Sequence, residues 1–287
     1  MSAGRPPLSG HTRVVGVIGD PVAHSLSPTL HNAAFEALGL DWVYVAFSVS
    51  RGRGAEAVAA VSALGLAGLN VTMPHKEDVA GACDELTPDA AALRSVNTVV
   101  ALPDGRTLGD STDGPGFLDA LAEEKIDVPG KPVLVLGAGG AARAVILALG
   151  RAGATVTVAA RRPEAGEAAA ALAPGATAVP LAAVAAGGSA AQAAFAVIVN
   201  ATPLGMSGGD PLPVDPEALH GKQAVVDLIY HPADTPLLTA ARSKGALAVN
   251  GLGMLLHQAA RSFTLWTGQP APIDAMRAAV TAALGER

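Results

Sequence analysis

PVLVLGAGGAARAVILALGRAGATVTVAARR, residues 132–162, carries the pattern that decides the fold. Residues 132–137 form a short apolar run ending at glycine, which reads as a buried strand. Gly137-Ala138-Gly139-Gly140-Ala141 follows, and residues 142–152 read as a helix stopped by Gly153. Residues 155–159 (TVTVA) read as the next strand. Small residues between a strand and a helix allow a tight turn and let backbone approach a bound pyrophosphate. The helix start then offers free N–H groups and positive dipole charge. The position three after Gly139 is Ala142, which the dinucleotide fingerprint allows. The second strand runs into Ala160-Arg161-Arg162, with no acidic residue before Glu164. An acid there would bind a ribose 2′-hydroxyl, as in NAD. Arginine suits the 2′-phosphate of NADP instead. The competing reading is two solvated surface arginines.

Working outward, residues 195–200, 224–227 and 246–250 read as further strands, giving a doubly wound unit of roughly 140 residues. Residues 251–267 and 272–284 read as two closing helices, expected to return to the first half of the chain. That half alternates strands (14–19, 42–49, 68–72, 98–102) with helices (27–39, 55–64, 84–92), implying a parallel sheet with crossovers. Ser27 is the expected cap of the first helix and Pro28 its first position. Residues 103–116, rich in Gly, Asp, Pro and Thr, hold the expected domain boundary. The division is then 1–112 plus 252–287 for one domain and 113–251 for the other. The Ala-rich stretch 165–191 reads as a short helix plus loops.

The length of 287 residues fits about two domains. A chain with 50 % hydrophobic and 15 % charged residues is not disordered. Nineteen Lys and Arg against 25 Asp and Glu give a net charge of −6, which argues against a nucleic-acid polyanion as partner. Cys83 is the sole cysteine, so no internal disulfide or cysteine zinc site can form, and a reducing cytoplasm is expected. Residues 1–13 lack the apolar core of a signal peptide, and no window resembles a membrane span. His24, His31 and His75 lack metal-ligand spacing, so no metal is expected.

Three polar clusters stand out in the first half. The first is Asp20-Pro21-Val22-Ala23-His24-Ser25-Leu26-Ser27-Pro28, with His31-Asn32 after it. Two hydroxyls feeding a helix start make a carboxylate site. Capping alone would explain Ser27, but it would not explain Ser25. The second is Asn70-Val71-Thr72-Met73-Pro74-His75-Lys76, where Asn70 and Thr72 share a strand face and Lys76 lies past the strand end. There Lys76 can serve as proton donor or acceptor; the plainer reading is a solvated loop lysine. The third is Val96-Asn97-Thr98 with Asp110-Ser111-Thr112-Asp113-Gly114, where Asp113 opens a helix, as a cap or as a partner for Lys76.

Assembled, these motifs resemble the shikimate dehydrogenase family from Gly16 to about Gln258. The further motifs that carry the resemblance are Asn200-Ala201-Thr202-Pro203-Leu204-Gly205-Met206, Asp227-Leu228-Ile229-Tyr230 with Thr235-Pro236-Leu237-Leu238, and Gly251-Leu252-Gly253-Met254-Leu255. The resemblance implies a two-domain α/β enzyme, with an N-terminal α/β substrate domain and a Rossmann NADP-binding domain. The implied reaction is reversible NADP-linked reduction of 3-dehydroshikimate to shikimate, in aromatic amino-acid biosynthesis. It implies that Lys76 and Asp113 form the catalytic pair. Ser25 and Ser27 would bind the substrate carboxylate with Tyr230 nearby, and Asn70, Thr72, Asn97 and Gln258 would hold ring hydroxyls. Gly137, Ala138, Gly139, Gly140 and Ala141 would cradle the pyrophosphate, with Arg161 and Arg162 at the 2′-phosphate. Thr202, Leu228, Gly251 and Met254 would lie along the cofactor. The partner is a small molecule, the working form a monomer or homodimer.

Three positions depart from the family pattern. Ala160 stands where Asn is frequent, a further basic residue common near Ala165 is absent, and Ser111 stands before Thr112 where Asn is frequent. A quinate or aminoshikimate dehydrogenase of a specialised pathway is the neighbouring alternative. A non-enzymatic NADP sensor on the same scaffold is the alternative of another class.

Overall fold

The computed structural model describes residues 6–185, 192–207 and 209–285. The chain divides into two compact units, Met1–Thr112 with Leu256–Arg287, and Asp113–Leu255. The stretch 165–191 therefore falls partly outside the described residues, as does the start of 1–13.

The first unit contains β1 (Arg13–Gly19), α1 (Ser27–Ala37), β2 (Trp42–Ser48), α2 (Gly54–Ala63), β3 (Gly68–Val71) and α3 (Lys76–Ala80). It continues with β4 (Glu85–Leu86), α4 (Pro88–Leu93), β5 (Thr98–Ala101) and β6 (Thr107–Asp110). The sheet order is β2-β1-β3-β5-β6-β4. β1 runs parallel to β2 and β3, but β5 runs antiparallel to both β3 and β6. The expectation of a wholly parallel sheet is corrected accordingly. The segment expected as one helix over 84–92 splits into β4 and α4, because Thr87 caps α4 and Pro88 starts it. β6 lies inside the stretch read as boundary loop. It is secured by the Asp84 carboxylate, which accepts from the Thr107 N–H at 2.8 Å and hydroxyl at 2.9 Å.

Strand alternation sorts this sheet's two faces. Leu69 and Val71 join Ile18, Val58, Val61 and Val99 in one apolar cluster. Gly68 and Asn70 look the other way, and a Cβ on Gly68 would lie 2.2 Å from Trp266 Nε1. That face carries an aromatic cluster of Phe35, Tyr44, Phe263 and Trp266. Trp266 comes from α10 (Leu252–Thr267) and donates through Nε1 to the Val99 carbonyl at 3.0 Å. α11 (Ile273–Gly285) packs on α1, so both closing helices return to the first unit.

The second unit contains α5 (Asp113–Glu123), β7 (Pro132–Leu136), α6 (Gly140–Arg151), β8 (Thr155–Ala160), α7 (Pro163–Ala170), β9 (Thr177–Pro180) and α8 (Leu181–Ala185). Then come β10 (Val197–Asn200), β11 (Ala224–Asp227), α9 (Pro236–Ser243) and β12 (Leu247–Val249). All pairs are parallel, in the order β12-β11-β10-β7-β8-β9. This is the doubly wound order, with its switch point between β7 and β10. Val133 and Val135 enter the cluster on one face with Val145, Ile146 and Leu149. Leu134 and Leu136 enter the opposite one with Ile198, Val225 and Leu238. Each such side chain contributes about 1.5–3 kcal/mol on burial. β9 falls in the stretch expected as a short helix plus loops; only four residues long, it is a strand because β8 pairs with it.

Candidate functional site

The turn after β7 sits at the switch point. Gly137 has φ +111°, and a Cβ there would lie 2.9 Å from the Ala201 carbonyl oxygen, so both conformation and space demand glycine. Gly139 and Gly140 are different. Gly139 is the N-cap of α6 at φ −79°, and a Cβ on either residue would meet nothing within 4 Å. Protein packing does not explain them; a cradle for an external group does. Ala141 is exposed on the first turn, and the fully buried Ala142 lets α6 pack close on the sheet.

A groove of about 280 Å³ opens at this place, lined by Gly137, Ala138, Gly139, Arg161, Arg162 and Thr202 among the expected residues. Ala160, Ala165, Ala201, Pro203 and Leu204 also line it. Ala160, one of the family departures, and Ala165, near which another falls, thus form part of its wall. Arg161 directly follows β8, and Arg162 is the N-cap of α7. The residues fit a dinucleotide bearing a 2′-phosphate: open backbone at a helix start, and two guanidinium groups on a wall whose lining residues include no acid.

Thr202 of the groove is linked through Asn200 to a buried carboxylate, Asp227, to which the sequence assigns no role. Asp227 ends β11 and accepts from Thr235 Oγ1 at 2.7 Å, Asn200 Nδ2 at 3.0 Å and the Ile229 N–H at 3.1 Å. Burial raises its carboxyl pKa, and these donors oppose the rise. Asn200 Oδ1 in turn accepts from the Thr202 hydroxyl at 2.7 Å. Thr235 caps α9 through the Leu238 N–H. All three residues lie within the quoted motifs, and that was their signal. Gly251 presses on the Leu228 carbonyl, where a Cβ would lie 2.0 Å away. Met254 packs on the core below, and Tyr230 is half-buried.

In the first unit the structure draws Asn70 and Asn97 into one buried network. Asn70 Nδ2 faces Asn97 O at 3.1 Å, Thr98 Oγ1 at 3.1 Å and Ser262 Oγ at 3.0 Å. Asn97 Oδ1 accepts from the Thr112 N–H at 2.8 Å, and its Nδ2 donates to Thr112 Oγ1 at 2.9 Å. Ser262 also donates to the Gln258 carbonyl at 3.1 Å, which ties α10 into the group. Thr98, Thr112 and Ser262 were not expected here. Thr98 and Thr112 lay in quoted motifs; Ser262 had only its place four residues after Gln258.

Two local readings change. Ser27 is not the cap of α1: Leu26 holds that position without a side-chain bond, and Ser27 is the first helical residue. Ser25 instead accepts from the Ser27 N–H at 3.2 Å, so the serine that seemed to lack a local role has one. Nor is Lys76 in a loop. It opens α3, and its carbonyl accepts from the Val96 N–H at 3.0 Å, next to Asn97. Thr72 lies just past β3, its N–H on Ile18 O at 3.0 Å. Lys76 belongs to the first unit. Asp113, the first residue of α5, belongs to the second.

Among the described residues, no group of three His, Cys, Asp or Glu could hold a metal, and no helix is long and apolar enough to cross a membrane. His75 donates from Nε2 to the Val49 carbonyl at 2.7 Å. His31 is fully buried, and neither ring nitrogen makes a hydrogen bond among the described residues. Burial pushes its pKa down from 6.5 to about 3, with a smaller opposing pull from the nearby Asn70 side chain. The folded pKa lies below the unfolded one, so stability is full above pH 6.5 and declines as pH falls towards 3. Between pH 7 and pH 5 the wild type should lose about 2 kcal/mol through this group. Urea unfolding at both pH values checks it: His31→Phe should remove that share of the loss, and an unchanged loss would contradict it.

The switch-point groove and the sheet order define a doubly wound, dinucleotide-binding α/β protein. A family model for the shikimate dehydrogenase substrate binding domain matches residues 17–99, and one for the shikimate 5'-dehydrogenase C-terminal domain matches residues 251–281. The shikimate dehydrogenase (NADP(+)) of Acidiphilium cryptum is 47 % identical over 278 residues, covering 96 % of this chain and 99 % of the relative. That of Symbiobacterium thermophilum is 44 % identical, covering 99 % of each. The Thermus thermophilus shikimate 5-dehydrogenase, solved with NADP(H) and shikimate, superimposes with a TM-score of 0.85 at 38 % identity. It covers 95 % of this chain and all of that one. The chain belongs to the shikimate dehydrogenase family.

Proposed function

We propose that this chain catalyses the reversible NADP-dependent reduction of 3-dehydroshikimate to shikimate, in the route to chorismate and aromatic amino acids. The observation that carries the reading is the switch-point groove. Its glycines leave space that protein does not fill, and Arg161 and Arg162 stand on its wall. Family membership over nearly the whole chain supplies the substrate. The first unit with the closing helices serves as the substrate domain, and the second as the cofactor domain. The enzyme works in the cytoplasm as a monomer or homodimer.

NADP, when bound, supplies the two-electron redox chemistry. The protein's residues bind, orient and move the proton. Lys76 Nζ gives a proton to the carbonyl oxygen during reduction and takes it back from the hydroxyl during oxidation. Asp113 orients that ammonium and balances its charge. Ser25 and Ser27 donate to the substrate carboxylate, with Tyr230 beside it. Asn70, Thr72, Asn97 and Gln258 hold the ring hydroxyls, so an analogue lacking one leaves a buried polar group unpaired. Leu228, Gly251, Met254 and Thr202 line the cofactor's path. Complementation tests the proposal: expression should restore growth without aromatic amino acids in a bacterium deleted for its own shikimate dehydrogenase. No growth despite abundant, folded, NADP-binding protein would contradict it.

A further inference from the structure

His31 and Asn32 belong to the first motif, yet the site as described gives them no task. Both act on Tyr44. The Asn32 side chain accepts from the Tyr44 N–H at 3.0 Å and donates to the Tyr44 carbonyl at 2.8 Å. It therefore occupies both backbone groups that this residue turns away from β1, on the edge strand β2. The His31 ring stacks on the Tyr44 ring, with centroids 4.4 Å apart and planes at 7°. One residue pins the backbone, its neighbour the ring.

The buried Tyr44 hydroxyl then donates to Asn70 Oδ1 at 2.8 Å. The direction at Asn70 is settled by chemistry. Its other end faces the Asn97 carbonyl, which can only accept, so that end must be Nδ2. Nδ2 has two hydrogens, and three acceptors already surround it. Oδ1 has two lone pairs, of which Tyr44 takes one. The capacity Asn70 has left is to accept one hydrogen bond.

We infer that Tyr44 is a positioning residue for substrate binding, acting through Asn70. It holds the amide so that Oδ1 accepts from a substrate hydroxyl, and His31 and Asn32 hold Tyr44 in place. This rests on the reading that Asn70 binds a ring hydroxyl. A tyrosine that only fills the core would keep its ring contacts and satisfy its hydroxyl without biasing the amide.

The test compares the full-length wild type, Tyr44→Phe, Asn70→Ala and the double variant in steady-state shikimate oxidation. Tyr44→Phe keeps the ring and its stack. It should raise the shikimate KM about tenfold, lower kcat by no more than about threefold, and leave the NADP KM unchanged. The double variant should match Asn70→Ala alone, because the tyrosine has nothing left to act through. Multiplying effects, or a Tyr44→Phe KM within about twofold of wild type beside a raised Asn70→Ala KM, would overturn the inference. An unchanged KM in Asn70→Ala would overturn the Asn70 assignment itself, and the inference with it. If Asn70→Ala fails to fold, Tyr44→Phe is read alone against shikimate and its single deoxy analogues. The penalty should vanish for one analogue; an equal penalty for all would overturn the inference.

Discussion

Replacing Lys76 with alanine should lower kcat by about 10²–10⁴-fold, the usual contribution of a positioned proton donor, while the Kd for NADP stays within about twofold. The reasoning starts from placement. Lys76 opens α3, and its carbonyl is held by the Val96 N–H, so its backbone is fixed beside the Asn97 network. In either direction a proton must reach or leave the substrate oxygen as the redox step occurs. Without the ammonium, water must supply it with no fixed orientation. The dinucleotide groove lies wholly within the second unit, so losing this side chain leaves its walls intact. Steady-state kinetics with a fluorescence titration of NADPH separates the two effects. A kcat within about tenfold of wild type would contradict the role given to Lys76.

Arg161→Ala should weaken NADP binding about ten- to a hundredfold and leave NAD binding nearly unchanged. A hydrogen bond to a charged phosphate carries about 1.5–3 kcal/mol. Arg161 is exposed on the groove wall, which places the expectation towards the lower end and makes it sensitive to salt. Arg162, next in the chain and on the same wall, should give a second, smaller loss, and the double variant should lose most of the preference for NADP. Kd values for both cofactors at two ionic strengths check this. Equal losses for NADP and NAD would contradict the 2′-phosphate contact.

These expectations differ in how directly the sequence carries them. The turn after β7 was legible because each local signal agrees: an apolar run, glycines, a helix start, then a second strand ending in arginine. Its parallel neighbours follow from the same alternation of strand and helix. The first unit was less legible. β4 is two residues long and β6 contains Gly109; β6 forms against β5 along its whole length, and β4 forms against β6. The antiparallel course of β5 is set by the path of residues 72–97, in which no local pattern encodes direction. Ser25 and Ser27 both stand out in the sequence, yet their local roles are the reverse of the expected ones, because helix boundaries shift easily by one residue. Asn70 was legible as a polar strand residue. Its surroundings were not: Tyr44, Thr98 and Ser262 lie 26, 28 and 192 residues away along the chain. Single polar residues on buried faces give little notice of such partners until the fold brings them together.

The most direct measurement is the initial rate of nicotinamide reduction by the purified protein, with shikimate or quinate crossed against NADP or NAD. Rapid turnover with shikimate and NADP, and rates at least about tenfold lower in the other three combinations, is the predicted result. Comparable turnover of quinate, a preference for NAD, or no turnover by folded protein in any combination would contradict it.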